Sequence, residues 1–146
     1  MCSKRKSVVL LADGAWGVRA LQHLLQFADL RLVIERVQPT DNSMRVKANA
    51  VDVVIHCLQD INSAQSIKHI IDCNPDLILS VSYDQIFTNK FLKAVDVPVV
   101  NIHAGNPALY RGRAILCWQL MEGHRSVDLC AICVTRKIDD GKIISS

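Results

Sequence analysis

An amide and an imidazole end an apolar run near the middle of the chain. Val99 and Val100 lead into Asn101 and His103, and the stretch continues as AGNPALYRGR. Residues i and i+2 of a strand project from the same face, so the two polar side chains would point at one place. An amide donor beside an imidazole can stabilise an oxygen that gains negative charge, as acyl transfer requires. By itself the spacing favours a structural alternative, in which Asn101 caps the turn and His103 is a surface loop residue.

A carboxylate near His103 would keep the imidazole protonated or correctly oriented, and it could also accept a proton. Asp139 and Asp140 follow the last full apolar run of the chain. We expect this pair to lie at the same edge of the sheet as Asn101 and His103. The three kinds of side chain together would form a site for acyl transfer.

Apolar runs alternate with helical patterns, and these elements must position the polar residues. Strands are predicted over 6–12, 30–37, 51–57, 76–82, 98–103 and 127–135, with a last strand starting at 143. Helices are predicted over 18–27, 62–73, 87–95 and 114–122, with Asn62 or Ser63 as the N-cap of the second. The alternation predicts a Rossmann-like, doubly wound α/β fold with a mostly parallel sheet and helices on both faces.

A chain of 146 residues fits one domain, which we expect to span residues 1–146. In a parallel sheet the ligand crevice lies outside the carboxyl ends of the strands. The residues that end each apolar run are therefore the candidates for function: 13–17, 56, 82–85, 101–112 and 136–141.

Composition and charge exclude several classes of protein. Half of the residues are hydrophobic, and the 17 basic and 14 acidic residues are scattered, which is typical of a globular protein without a nucleic-acid partner. No apolar run approaches the roughly 18 residues of a membrane span, and the first one is too short for a signal peptide. We therefore expect a cytoplasmic protein without a membrane partner.

The cysteines and histidines indicate no metal site or disulfide framework. Most of the six cysteines fall in apolar segments, where a reduced cysteine packs as a small hydrophobic side chain. Cys130 and Cys133 have redox or zinc spacing, but no second pair follows and a strand would place them on opposite faces. No cluster has the ligand spacing of a zinc site.

A dinucleotide-binding oxidoreductase is one alternative. Gly14 and Gly17 follow the first strand, but the Gly-x-Gly-x-x-Gly pattern fails at its first glycine. Glu35, at the end of the second strand, lies near the position of a ribose-binding acid. Binding of a reduced nicotinamide cofactor would distinguish this alternative from acyl transfer.

The wider pattern resembles the folate-dependent formyltransferase family. The stretches VNIHAGNPALYRGRAILCWQLMEGH and ICVTRKIDDGKII match its Asn-x-His strand end, a loop closing in Tyr-Arg-Gly, a helix bearing a tryptophan, and Asp-x-Gly. The likeness runs from about Lys6 to the last residue and is strong only after Val99. Within the family, the loop usually reads Ser-Leu-Leu-Pro where this chain has residues 105–108.

The resemblance implies transfer of a formyl group from 10-formyltetrahydrofolate, the co-substrate, to a primary amine. Asn101, His103 and Asp139 would be the catalytic residues, with the first two stabilising the oxyanion. The expected folate-binding residues lie after the fourth strand and in the last loop: Tyr83, Asp84, Gln85, Ile86, Arg136, Ile138 and Asp140. The expected substrate-binding residues are Gly14, Trp16, Tyr110, Arg111 and Gly112. Trp16 could stack on a nucleotide base, although packing is the more usual role of a tryptophan at a helix start.

Elimination favours one acceptor. Family members that act on initiator tRNA carry an additional carboxy-terminal domain, and no such domain is expected within the 146 residues of this sequence. Members that act on glycinamide ribonucleotide carry a loop rich in Gly, Ser and Asn where this chain reads ADGAWG. The expected acceptor is therefore a nucleotide-linked amino sugar, with a methionyl-tRNA or glycinamide ribonucleotide formyltransferase relative as the alternative.

A non-catalytic, truncated binding module is a further alternative. The family's domain normally continues with more strand and a helix beyond the residue that corresponds to Ser146. Without them a sheet edge or core face would be uncovered unless a partner, such as a second copy in a homodimer, covers it. Product formation from a panel of amines would separate the enzyme from the binding module.

Overall fold

A computed structural model describes residues 5–146 as a seven-stranded sheet flanked by five helices. The elements are β1 Ser7–Ala12, α1 Gly14–Phe27, β2 Asp29–Glu35, α2 Ser43–Asn49, β3 Ile55–Cys57, α3 Ala64–Asp72, β4 Leu77–Val81, α4 Asn89–Val95, β5 Val99–His103, α5 Ile115–Met121, β6 Cys130–Cys133 and β7 Ile143–Ser145.

The strands lie in the order β3-β2-β1-β4-β5-β6-β7. Strands β1 to β5 are parallel to their neighbours, whereas β6 is antiparallel to β5 and β7 to β6. The mostly parallel, doubly wound α/β fold predicted from the sequence is confirmed. The order reverses between β1 and β4, so the ends of these two strands flank the switch point where such folds bind ligands.

Strand β1 is buried on both faces, because it lies at the centre of the sheet between two layers of helices. Val9 and Leu11 join a core that includes Ile67 and Ile70 of α3 and Phe91 of α4. The alternate residues of β1 face α1 and α2, where Leu10 packs with Leu21 and Met44. Consecutive apolar residues are therefore needed along this strand.

Several elements differ in length from their predicted bounds. The last full strand covers Cys130–Cys133 rather than the predicted 127–135. The first helix starts four residues earlier than the predicted residue 18, directly after Asp13. The third strand is shorter than predicted, because Asp52 has a positive φ of 54° and the Val53 N–H bonds to the Ala48 carbonyl at the end of α2. In α3 the N-cap is Ser63, whose hydroxyl accepts the N–H of Ser66.

One edge of the sheet is formed by β3 and the other by β7, whose three residues are all exposed. Ile143 and Ile144 are 42% and 55% exposed. This edge therefore presents apolar side chains to solvent. Within residues 5–146, no helix has the length and apolar character that crossing a membrane requires.

Candidate active site

Strand β5 brings Asn101 and His103 to one face of the sheet, and the carboxylate of Asp139 lies against both. The Nδ2 of Asn101 is 3.5 Å from Oδ1 of Asp139. The Nδ1 of His103 is 3.5 Å from Oδ2 of the same residue. Both distances are long for a hydrogen bond, as is common in catalytic sites without a bound substrate.

The path that brings Asp139 to this place differs from the sequence-based expectation. Asp139 was expected at the carboxyl edge of a parallel sheet. Strand β6 runs antiparallel to β5, however, and the carboxyl end of β6 therefore lies beside the amino end of β5. The Val134 N–H bonds to the Val99 carbonyl there. The segment 134–142 must therefore fold back over the sheet for Asp139 to reach His103.

Asp139 lies in a turn and holds a second loop. Its φ is 48°, a left-handed conformation that aspartate tolerates better than most residues. Its Oδ2 accepts the backbone N–H of Gly112 at 2.8 Å. Its side chain is 11% exposed, so the carboxylate is largely withdrawn from water while it faces the imidazole.

His103 is 5% exposed and has a partner at each ring nitrogen. Its Nε2 lies 2.8 Å from the carbonyl oxygen of Tyr110, which can only accept, so Nε2 carries a proton. Its Nδ1 is consequently the nitrogen that faces Asp139 and remains for proton exchange. Protonation of Nδ1 gives an imidazolium beside a carboxylate, a favourable arrangement.

Residues 104–113, which include the expected substrate-binding residues Tyr110, Arg111 and Gly112, connect β5 to α5 and contact the last loop. We call this segment the strap. Arg111 donates Nε to the Pro107 carbonyl at 2.8 Å, and its Nη1 lies 2.7 Å from Oδ1 of Asp140. Gly112 adopts a φ of 90°, which glycine accommodates without strain. Two neighbouring carboxylates, Asp139 and Asp140, thus hold two consecutive residues of this strap.

The three expected folate-binding residues in the last loop are all exposed. Ile138 is 54% exposed, and Arg136 is exposed as well. Asp140 differs from these two because Arg111 already binds its carboxylate. The side chain of Asp140 therefore orders the strap in this arrangement.

The segment after β4 is fastened to the loop before α3. Gln85 accepts the N–H of Ile61 at 2.7 Å and donates to the Leu58 carbonyl at 3.0 Å. The Tyr83 hydroxyl is buried without a hydrogen-bond partner among the described residues, and burial raises the pKa of this hydroxyl well above its usual range. Ile86 is 65% exposed, and Asp84 lies 3.9 Å from Nε of Arg36.

At the other side of the switch point, Gly14 and Trp16 begin α1. Gly14 has a positive φ of 61°, and Trp16 is 48% exposed rather than packed into the core. These two expected substrate-binding residues follow β1, whereas Asn101 and His103 lie on β5, beyond β4 in the sheet.

The sequence placed Asp13 among the candidate residues after the first strand but indicated no partner for it. Its side chain is 1% exposed and binds the backbone N–H and hydroxyl of Thr40, with Nη1 of Arg36 at 3.5 Å. The signal that could have revealed it is an acidic residue directly after a fully apolar strand, where a carboxylate needs a partner. Asp13 anchors the segment 36–40 over the start of α1.

Glu35 does not have the exposure that a ribose ligand needs. It is completely buried, and Nε of Arg45 binds its Oε2 at 2.7 Å. A cavity of about 650 Å³ lies nearby along α2 and β3, with Arg45 and Cys57 among its lining residues. None of the expected site residues lines this cavity. The geometry therefore favours the chemistry at β5 over a dinucleotide site at β2.

Comparison with protein families gives the decisive observation. Residues 59–146, well over half of the chain, match the family model described as Formyl transferase. The chain belongs to the formyl transferase family. The matched residues include Asn101, His103 and Asp139, and the resemblance stated from the sequence is confirmed.

Other members of the formyl transferase family align along almost the whole chain. It is 30% identical to methionyl-tRNA formyltransferase from Enterococcus faecalis over 94% of its length and 47% of that protein. A glycinamide ribonucleotide transformylase 1 from Symbiobacterium toebii has a TM-score of 0.78 at 18% identity, covering 97% of this chain and 71% of that one. A likely sugar N-formyltransferase from Mycobacterium tuberculosis has a TM-score of 0.70 at 18% identity, and the match covers 96% of this chain and 53% of that one.

The chain spans about half the length of the curated relatives it matches. These relatives are methionyl-tRNA formyltransferases, so the elimination that pointed to a nucleotide-linked amino sugar is not supported. The likeness to the two solved structures shows the fold and does not identify an acceptor.

Proposed function

We propose that the protein transfers a formyl group from 10-formyltetrahydrofolate to a primary amine, with Asn101, His103 and Asp139 as the catalytic residues. The observation that carries the proposal is the approach of one carboxylate to both other side chains, at 3.5 Å in each case. Membership of the formyl transferase family supports the reaction type. The family's formyl donor is 10-formyltetrahydrofolate.

Each catalytic side chain has a distinct task in this reaction. The Nδ2 of Asn101 donates to the formyl oxygen as that oxygen becomes anionic. Protonated His103 stabilises the same oxygen with its positive charge, and it supplies the proton that the departing folate nitrogen requires. Asp139 stabilises the imidazolium and accepts the proton that the attacking amine loses, directly or through a water molecule.

The residues proposed for the donor fit a folate in chemical terms. The Tyr83 hydroxyl is buried without a partner among the described residues, and a pterin ring offers both N–H and carbonyl groups to such a side chain. Ile86 and Ile138 expose apolar surface that a flat ring can cover. We infer that these segments, together with Asp84, Gln85, Arg136 and Asp140, bind the donor.

The first candidate acceptor is the amine of an aminoacyl-tRNA, as the names of the curated relatives indicate. Arg113 and Arg136 are exposed in the two loops that border the catalytic residues. Basic side chains there would attract the phosphates of a nucleic acid. This acceptor replaces the expectation that no nucleic acid takes part.

A nucleotide-linked amino sugar is the second candidate, and the observation that favours it is the exposure of Trp16. Its indole is 48% exposed beside the end of β1, where it can stack on a base. A glycinamide ribonucleotide is less favoured, since the buried carboxylate of Asp13 directly precedes α1 and its negative charge would repel a phosphate at the start of that helix.

The proposal is tested by incubating the purified chain with 10-formyltetrahydrofolate and each of the three amines, and by measuring the mass of the products. A formylated aminoacyl-tRNA is the expected product, and a formylated amino sugar would support the second candidate. Donor binding with no formylated product from any amine would favour the non-catalytic binding module. If the donor does not bind either, the proposed function is wrong.

A further inference from the structure

Tyr110 is held by two side chains that the sequence did not single out. Its hydroxyl donates a hydrogen bond to Oε2 of Glu122, directly after α5. The Nε2 of His124 lies 3.0 Å from the same hydroxyl oxygen, and the two rings meet edge to face with their centroids 5.9 Å apart. Three side chains from the strap and the end of α5 therefore form one hydrogen-bonded cluster.

The direction of these hydrogen bonds follows from the chemistry of the groups. An ionised carboxylate only accepts, so the Tyr110 hydroxyl proton points to Glu122. The oxygen then has only lone pairs to offer, and Nε2 of His124 must donate to it. The bond to Glu122 raises the pKa of the Tyr110 hydroxyl, so the proton stays on the oxygen.

The same residue binds the candidate catalytic histidine through its backbone. The carbonyl oxygen of Tyr110 accepts Nε2–H of His103 at 2.8 Å. The Tyr110 N–H bonds to the Asn106 carbonyl at 2.8 Å, so the peptide groups on both sides of Tyr110 are held. A movement of the Tyr110 ring that carries the backbone of residue 110 with it would displace the carbonyl oxygen that determines which nitrogen of His103 carries its proton.

We infer that Glu122 and His124 are positioning residues, which act through Tyr110 to keep the His103 proton on Nε2 and leave Nδ1 facing Asp139. This inference rests on the proposed function, because Nδ1 matters only if His103 exchanges a proton there. Neither Glu122 nor His124 approaches the three catalytic side chains directly. Their effect passes through a single hydroxyl and a single carbonyl group.

The test combines kinetics with ¹⁵N NMR of histidine-labelled protein, at a pH where His103 is neutral. In the wild type, His103 is expected as the Nε2–H tautomer, with its signals assigned by their loss in His103→Asn. In Glu122→Ala and Tyr110→Phe both tautomers should be populated, and kcat should fall about tenfold to a hundredfold with little change in KM for the donor. Glu122→Gln keeps an oxygen acceptor and should retain the wild-type tautomer and most of kcat.

Controls and a double variant show whether the effect passes through the proposed contact. Arg125→Ala alters an exposed residue next to His124 and should leave the tautomer unchanged. Glu122→Ala combined with Tyr110→Phe should lower kcat no further than Tyr110→Phe alone, because both remove the same link. A wild-type tautomer in both Glu122→Ala and Tyr110→Phe would overturn the inference.

The NMR readout also separates this inference from the proposed function. Suppose that the wild-type chain forms no formylated amine, yet shows the Nε2–H tautomer and loses it in Glu122→Ala. The proposed reaction would then be wrong, while the positioning role of Glu122 would be supported. Normal turnover in Glu122→Ala together with an unchanged tautomer would show that Glu122 has no positioning role, while the proposed reaction would be supported.

Discussion

The backbone N–H of Gly112 donates a 2.8 Å hydrogen bond to Oδ2 of Asp139, across 27 residues of chain. The same oxygen faces Nδ1 of His103. One carboxylate therefore orders the strap and the imidazole together, and a change at Asp139 affects both. This coupling underlies the first prediction.

Asp139→Asn should lower turnover by about a hundredfold or more, the usual contribution of a general acid or base. The amide oxygen can still accept the Gly112 N–H, so the strap keeps its position while the negative charge beside His103 is lost. The measurement is kcat for formyl transfer, with the exposed Asp128→Asn as the matched control. A kcat within twofold of the wild type would exclude Asp139 from proton transfer.

Asn101→Ala should lower kcat by about a hundredfold to a thousandfold, since it removes a donor to the developing oxyanion. The KM for the donor should change much less, because the effect belongs to the transition state. Steady-state kinetics measures both constants, and Asn49→Ala, at the end of α2, serves as the control. Unchanged turnover would show that Asn101 only shapes the loop.

Arg111→Ala should loosen the strap without unfolding the protein. The ion pair with Asp140 is partly exposed, with side chains 52% and 31% accessible, so its loss should change the unfolding free energy by about 1 kcal/mol or less. Hydrogen exchange should become faster in residues 104–113, and KM for the acceptor should rise more than kcat falls. Equal exchange in the variant and the wild type would show that the Arg111–Asp140 ion pair does not order the strap.

Gly17→Ala should destabilise the fold by about 1–3 kcal/mol through overpacking. A Cβ at this position would lie 2.9 Å from Sδ of Met44 and 3.0 Å from Cβ of Ala12, where α1 packs on α2 and β1. Urea unfolding gives the free energy, and Gln26→Ala on the exposed face of α1 is the control for an alanine introduced where no overpacking arises. A variant more stable than the wild type would mean that Met44 moves aside at no cost.

Asp76→Asn should remove a pH-dependent part of the stability. Hydrogen bonds from the Ser7 N–H and hydroxyl lower the pKa of Asp76 below its ordinary value of 3.8. A lowered pKa stabilises the folded state above the ordinary value, and this stabilisation is lost as the pH falls through the lower one. The wild type should therefore exceed the variant in unfolding free energy at pH 7, and the difference should shrink below about pH 4. A difference independent of pH would assign the effect to packing, and Asp128→Asn is the control.

The order of elements could be predicted from the sequence because it depends on local periodicity. Apolar runs such as the one in β1 and the stripe of Ile67 and Ile70 in α3 specify strand and helix over a few residues. The shared face of Asn101 and His103 follows from the same local rule. The shortness of β3 could not be predicted, since it arises from the backbone bond between Val53 and Ala48.

The sequence by itself determined the fold class, the family and the identity of the three candidate catalytic residues. Only the tertiary structure decided how Asp139 reaches His103, because that depends on the antiparallel direction of β6 and on the return of the following segment over the sheet. It also decided that Tyr110 holds His103 and is itself held by Glu122 and His124. Periodicity is a property of neighbours in the chain, whereas these contacts join residues whose distance depends on the complete path of the backbone.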